Sequence, residues 1–267
     1  MNSTIKVSVI TPSYNQGDYI EEAINSVLNQ SYENIEYIVV DGGSTDQTIN
    51  ILDAYKEHFT LISGEDDGQS DAINIGMKRS TGDLVGWLNA DDIYEQDGIE
   101  TIVSLYREKP EHSIYYGGIR LINRDGQFLG FPKWGPITYE RLLKGLPEVW
   151  QPGSFYPASL LEQVGYLDPG LEMIMDLDLY LKLVQLAPAA FIPEFVARQR
   201  VHGETKSSRM QLVSFREGIR VRMKQKIPMT SFLYYLIRRS LVLAKFYLIN
   251  RKQVIEWDAE SGFGELD

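Results

Sequence analysis

Gly82-Asp83-Leu84-Val85-Gly86-Trp87-Leu88-Asn89-Ala90-Asp91-Asp92 joins a short apolar run to a polar end that carries two adjacent carboxylates. The apolar part has almost no polar alternation, so it reads as a strand buried on both faces. The pattern recurs upstream. Lys6–Thr11, Glu36–Asp41 and the weaker Thr60–Ser63 are strand-like, while Tyr19–Asn29, a segment capped by Ser44 or Thr45 and running to Tyr55, and Gln69–Arg79 carry helical spacing. Strand–helix alternation of this kind predicts an α/β fold with a mostly parallel central sheet flanked by helices. In such sheets ligands gather beyond the carboxyl ends of the strands. Here those ends are Thr11–Asn15, Asp41–Asp46 and Asn89–Asp92, all polar and two of them rich in carboxylates.

From Ser113 onward the pattern is mixed. Ser113–Ile122 reads as a strand, Ile137–Leu143 as a short helix, and Trp150–Phe155 as a loop entering a strand. Asp176–Leu186 is helical, and Ala190–Pro193 and Val196–Val201 are strand-like. Two helices, Ser207–Lys226 and Met229–Asn250, follow on either side of Pro228. The expected division is a main domain over 1–204, itself in two halves, 1–110 and 111–204, and a C-terminal helical extension over 205–267.

Composition narrows the function classes. The chain has 267 residues and a formal net charge of −11, an unfavourable balance for wrapping nucleic acid. It has no cysteine, which excludes disulfides, thiolate metal sites and a cysteine nucleophile. Met1–Lys6 shows no secretory pattern and no run of 18 apolar residues occurs, so the expectation is a cytoplasmic protein. The charge is divided unevenly: −17 over 1–204, +11 over 205–252 and −5 over 253–267.

Two neighbouring carboxylates at a strand end repel unless they are solvated or neutralised. A hard divalent cation with oxygen ligands, Mg²⁺ or Mn²⁺, neutralises them, and such an ion completes its shell with water and substrate phosphates. The competing assignment for Asp91-Asp92 is an acidic turn before the next helix. Asp41-Gly42-Gly43-Ser44-Thr45-Asp46 lets a ligand approach the backbone closely, but has neither the Walker nor the dinucleotide-binding spacing; the competing assignment is a tight turn with an N-cap.

Val9-Ile-Thr-Pro-Ser-Tyr-Asn15, Val39-Val-Asp-Gly-Gly-Ser-Thr-Asp46 and Gly82–Asp92, in that order and spacing, resemble the inverting glycosyltransferase family 2 across about 1–204. The resemblance implies a GT-A fold, with a nucleotide-diphosphate sugar bound in the first half and an acceptor hydroxyl, on a glycan or lipid-linked chain, in the second. It implies that Thr11, Pro12 and Tyr14 line the nucleoside pocket and that Asp41 meets the base. Asn89 or Ala90 would lie beside the ribose, and Asp91 would bind metal and diphosphate. Met175-Asp176 before Leu177-Asp178-Leu179 is similar to the family's base motif, which makes Asp176 the general base for the acceptor hydroxyl; a helix N-terminal acid is the structural alternative. Asp178, about 200° round the helix, reads as structural. Trp150-Gln151-Pro152-Gly153-Ser154 resembles the acceptor loop, with Trp134 and Trp150 as sugar-stacking or core residues. Arg200-Val-His202 resembles a segment whose histidine binds metal or diphosphate, with Lys206 and Ser207 nearby; His58 and His112 carry no role.

The chain departs from the family at two positions. Asn89 stands where many members have Asp, and Ile73 where many have Arg, so Asp71 and Asn74 are the expected nucleotide contacts on that helix. The resemblance points to bacterial surface-polysaccharide synthesis by a hexosyltransferase. The alternatives are a nucleotidyltransferase, disfavoured because Thr11–Gly17 holds no basic residue, and a catalytically inactive nucleotide- or glycan-binding module.

In the extension, Ser231, Arg238, Lys245 and Lys252 recur every seven residues, and Arg216, Arg220 and Lys224 every four. An apolar helix rimmed by cations suits the anionic inner face of a membrane. The same features suit packing on the acidic body, or on a second copy in a homo-oligomer.

Overall fold

In a computed structural model of the chain, residues 4–145, 149–201, 210–225 and 227–249 are described. The first part runs β1 (Val7–Ser13), α1 (Ile20–Leu28), β2 (Ile35–Asp41), α2 (Thr48–Tyr55), β3 (Thr60–Ser63), α3 (Gln69–Arg79) and β4 (Leu84–Trp87). Then come β5 (Ile93–Tyr94), α4 (Gly98–Glu108), β6 (Ile114–Ile122), β7 (Phe128–Gly130), α5 (Tyr139–Leu143), β8 (Ser154–Pro157), α6 (Ala158–Val164), α7 (Met175–Leu183) and β9 (Ala189–Arg200). Helices α8 (Gln211–Lys224) and α9 (Met229–Ile249) follow.

The strands form one sheet in the order β3-β2-β1-β4-β8-β6-β9-β5, with β7 on β6. β3, β2, β1 and β4 are parallel. β8 is antiparallel to both β4 and β6, and β9 returns parallel to β6. Alternation along the strands sends side chains to two cores. Val7, Val9, Val39 and Leu84 pack on one face with α1, α2 and α4. Ile10, Ile38, Val40, Val85 and Trp87 pack on the other with α3, α5, α6 and α7. α3 sits close on β1 because residue 76 is glycine: a Cβ there would lie 2.5 Å from Ile10 Cγ2.

Strand order reverses between β1 and β4, the place where an open α/β sheet leaves a crevice at its carboxyl ends. β8 enters beside β4 from the opposite direction, pairing Phe155 with Gly86. The loop before β8 therefore meets the loop after β4. Pro193 does not split the chain: Ala189–Arg200 is one strand, with register shifts against β6 on either side of Gly118.

The basic extension packs on the second core. Val221 is fully buried there, and Arg222 is buried with it, donating from Nε to Leu143 O (2.6 Å) and from Nη2 to Leu142 O (3.0 Å). It thus caps the carbonyl end of α5, where a cation is favourable, and its guanidinium lies 3.7 Å from the Tyr235 ring centroid. Burial holds its pKa down to about 10. Arg238 donates to Gly145 O and Ser231 is buried, so these two members of the seven-residue polar stripe face the body rather than solvent; Lys252 lies outside the described residues. Lys224 pairs with Asp168 at 2.9 Å. The outward row of α9 is apolar instead: Leu233, Ile237 and Leu241 are 55%, 55% and 65% exposed. No helix among the described residues is long and apolar enough to cross a membrane.

Candidate active site

The loops after β1 and β2 are fastened together. Asn15, in the left-handed region at φ 52°, donates its N–H to Ser44 Oγ (2.8 Å) and accepts at Oδ1 from Thr45 N (2.8 Å). A non-glycine residue in that conformation persists where its surroundings over-determine it. Asp41, 1% exposed, accepts from Ser44 Oγ (2.5 Å), Ser44 N (3.0 Å) and Gly43 N (3.2 Å). Its carboxylate organises this loop. Gly43 takes φ 83°, and a Cβ on Gly42 would meet Asp66 Oδ2 at 2.6 Å. Ser44 is therefore engaged with Asp41 and Asn15 instead of capping α2, whose Thr48 N–H is met by Asp46 Oδ1 at 3.0 Å. Tyr14 projects from the end of β1, 61% exposed.

Asp91 and Asp92 part company after β4. Asp92 is buried, accepting from Arg200 N at Oδ1 (3.0 Å) and from Asn89 Nδ2 at Oδ2 (3.1 Å). Burial, then the neighbouring Asp91 charge, pushes its carboxyl well above the usual aspartate range. Asp91 is half-buried, and it is its main-chain oxygen that accepts from Arg200 Nε (3.0 Å). The Arg200 guanidinium is wholly enclosed, donating also to Glu22 Oε2 (2.7 Å) and Arg124 O (2.7 Å) and lying 4.9 Å from the Tyr19 ring centroid. Arg200 thus anchors the Asp91-Asp92 turn to the end of β9.

Asn89 joins the two halves. Its Oδ1 accepts from Gln69 Nε2 of α3 (2.8 Å), and its Nδ2 donates to Asp92 Oδ2 and to Gln151 Oε1 (3.2 Å). Gln151 in turn donates to Trp87 O (2.6 Å). An aspartate could not donate to Asp92 and Gln151 as this amide does, which gives the departure at position 89 a physical reason.

Asp176 lies in the first turn of α7. Burial pushes its carboxyl up to about 6, opposed by hydrogen bonds from the Leu177 N–H and its own. The buried hydroxyls of Tyr156 and Tyr180 feel its charge, and Tyr180 OH reaches Ser154 Oγ at 3.4 Å. Asp178 is buried and paired with Lys182 at 2.7 Å, the structural role expected for it.

Other expected contacts face elsewhere. Thr11 is fully buried, and its Oγ1 meets Tyr37 OH at 3.0 Å inside the core. Asn74 is buried with both amide atoms on the Leu167 main chain, each at 3.0 Å. Ser154 Oγ donates to Trp150 O (3.0 Å), and Trp150 Nε1 donates to Lys133 O (3.1 Å). A Cβ on Gly153 would crowd Gly117 O at 3.0 Å, so in the expected acceptor loop Gln151 alone joins the Asn89 network. Trp134 packs against Phe195 and Phe131. Asp71 Oδ2 accepts from Asp67 N at 3.3 Å near the start of α3, and Pro12 and Ala90 are buried at their strand ends. His202, Lys206 and Ser207 lie outside the described residues.

Among the described residues no group of three or more His, Cys, Asp or Glu could by itself hold a metal ion. The donor set fits a hard cation that arrives with a diphosphate, since Mg²⁺-type ions use one or two carboxylates and take their other oxygens from phosphate and water. Asp91, half-buried in this turn, is a carboxylate of that type.

Residues 8–165 match the family described as Glycosyl transferase family 2. The chain belongs to that family. An uncharacterised glycosyltransferase of Rickettsia conorii is 34% identical over 215 residues, covering 76% of this chain and 35% of the relative. Chondroitin synthase of Escherichia coli is 28% identical over 209 residues, 75% of this chain and 30% of that protein. The chain thus spans about a third of the length of these relatives. A mannosyltransferase of Pyrobaculum calidifontis, solved with GDP-Man and Mn²⁺, superposes with a TM-score of 0.68 at 18% identity over 99% of this chain and 77% of that one. The likeness establishes the GT-A fold. Membership in a glycosyltransferase family removes the nucleotidyltransferase alternative.

Within this family frame, sequence reasoning missed Arg200, Gln69 and Glu22 as the framework of the Asp91 turn. A basic residue ending a strand was the available sign for Arg200. Nothing in the spacing links it to Glu22, 178 residues away.

Proposed function

We propose that this protein is a metal-dependent inverting glycosyltransferase that moves a hexosyl unit from a nucleotide-diphosphate sugar to a hydroxyl of a glycan or lipid-linked acceptor, in bacterial cell-surface polysaccharide synthesis. The observation that carries it is the Asn89 amide, which ties Gln69 of the first half to Gln151 of the second beside Asp91. Donor and acceptor then share one crevice at the strand ends. Tyr14, Pro12 and the Thr11 main chain border the nucleoside, with the Asp41 loop and Asp71 next to it and Asn89 and Ala90 by the ribose. Asp91, with His202 as a second candidate, would hold the Mn²⁺ or Mg²⁺ that accompanies the diphosphate. When bound, the ion stabilises negative charge on the departing diphosphate.

Trp150, Gln151, Gly153 and Ser154 shape the acceptor side. A sugar hydroxyl is a weak nucleophile, and Asp176 takes its proton as it attacks the anomeric carbon opposite the diphosphate. A carboxyl near 6 is still mostly ionised at neutral pH and is a stronger base than an ordinary aspartate.

The test is a panel of UDP-, GDP- and dTDP-sugars incubated with the chain, with Mn²⁺ and with EDTA. One donor should release its nucleoside diphosphate with Mn²⁺ and not with EDTA. A folded chain that turns over no donor would instead be the inactive binding module.

We further propose that the outer row of α9 rests on a lipid surface. Its support is the inversion of the helix, with Arg238 and Ser231 inward and Leu233, Ile237 and Leu241 outward, together with the +11 charge of 205–252. Sedimentation with phosphatidylglycerol-containing vesicles should capture the chain, and serine at all three positions should release it. Loss of a dimer in that variant, without vesicle binding in the parent, would assign the row to a second copy.

A further inference from the structure

The segment that delivers Asp176 is gripped from both sides. α3 holds it from the donor half, through Asn74 on the Leu167 main chain and Ser70 Oγ donating to Leu171 O at 2.8 Å. α8 holds it from the extension, through Arg220 on Gly170 O (3.3 Å) and Lys224 on Asp168. Between these points Glu217, the one acid among residues 205–252, turns inward and is 9% exposed. Its Oε1 accepts from Glu172 N (2.8 Å), and its Oε2 from Met173 N (2.9 Å) and Ile174 N (3.3 Å). These N–H groups lie just ahead of the first turn of α7, where main-chain donors lack helical partners and a negative group is favoured. Asp176 follows two residues later.

We propose that Glu217 is a positioning residue for Asp176, its carboxylate fixing the approach to α7 so that the base meets the acceptor hydroxyl. The inference rests on the assignment of Asp176 as the base. Glutamate suits the role because both of its oxygens only accept, whereas glutamine of the same size would turn an NH₂ toward main-chain donors. Displacing a reacting group by about 1 Å can cost roughly 100-fold in rate.

Two readouts test it on the full chain. In ¹³C-carboxyl NMR, with the Asp176 signal assigned by its loss in Asp176→Asn, the titration midpoint should start near 6 and fall by about one unit or more in Glu217→Gln. A loosened approach to α7 would leave the carboxyl better solvated, with Tyr156 and Tyr180 still next to it. An unchanged midpoint overturns the proposal. In turnover of the donor found by the panel, Glu217→Gln should lower kcat about 10- to 100-fold, change donor KM less than about twofold, and add no loss in the Asp176→Asn background. A parallel rise in donor KM, or an additive loss, would make Glu217 a general structural contact and overturn the proposal. If glutamine prevents folding, Glu217→Asp supplies the same comparison with charge retained. Full transfer by Asp176→Asn alone overturns the base assignment; loss there with normal kcat in Glu217→Gln overturns only the role of Glu217.

Discussion

Asp91→Ala is expected to remove Mn²⁺-dependent turnover almost completely while leaving the fold intact. The turn is attached through the Asp91 main-chain oxygen and the Asp92 carboxylate, both held by Arg200. Truncating the Asp91 side chain leaves those two attachments in place and removes the carboxylate proposed to hold the cation. Loss of a group that stabilises charge on the leaving diphosphate is worth roughly 10²–10³ in kcat, with weakened donor binding in addition. Calorimetric titration of UDP or GDP in Mn²⁺ should show that weakening, and the thermal midpoint should stay close to that of the parent. Asp92→Ala should behave in the opposite way, losing stability first, because it leaves the buried Arg200 N without its acceptor and Asn89 Nδ2 with Gln151 Oε1 alone. An Asp91→Ala chain that kept Mn²⁺-dependent turnover would remove Asp91 from the metal site.

Asp176→Asn should separate binding from chemistry. Donor affinity should be unchanged and transfer should fall about 10²- to 10⁴-fold, the usual contribution of a general base. In the parent, kcat should rise with pH through a midpoint near 6, since a general base must be ionised and burial raises the proposed base, Asp176, from 3.8 to about 6. The same shift acts on stability. A carboxyl whose pKa is higher in the folded state favours folding fully below about pH 4, and that contribution is lost as pH rises through about 6. At pH 8 the asparagine variant should therefore be more stable than the parent, by up to about 3 kcal/mol, and at pH 4 the difference should vanish. Melting curves at the two pH values check this; equal differences at both would argue against a carboxyl whose pKa is raised by desolvation.

The fold of the first half was legible because β1, β4 and most of β2 are buried on both faces and the helices show a clear period; Thr60–Ser63 and Gln69–Arg79 coincide with β3, an exposed edge strand, and α3 to the residue. The second half was less so. Pro193 interrupts the apolar pattern of β9 although the strand continues through it, since it falls at the register shift between the Phe191 and Phe195 pairings, where proline is tolerated. The first turn of α6 follows Pro157 directly, and its short period left no signal. At the site, residue types were legible and their directions were not. Thr11 and Asn74 were expected to line the nucleotide site, yet each satisfies itself inward, on Tyr37 and Leu167. The seven-residue stripe of α9 was visible in sequence, but a stripe does not declare which side faces the body; Arg238 chose Gly145 O.

The hold of Arg200 on the Asp91-Asp92 turn spans more than a hundred residues of chain, and β9 carrying it must insert between β6 and β5. Contacts of such separation form after local ones, because the intervening loop must be closed first. The parallel strands and the glycine loop after β2 can therefore assemble early in folding. The acidic turn acquires its final shape only when the last strand docks, so competence to engage a donor arrives with the completion of the sheet.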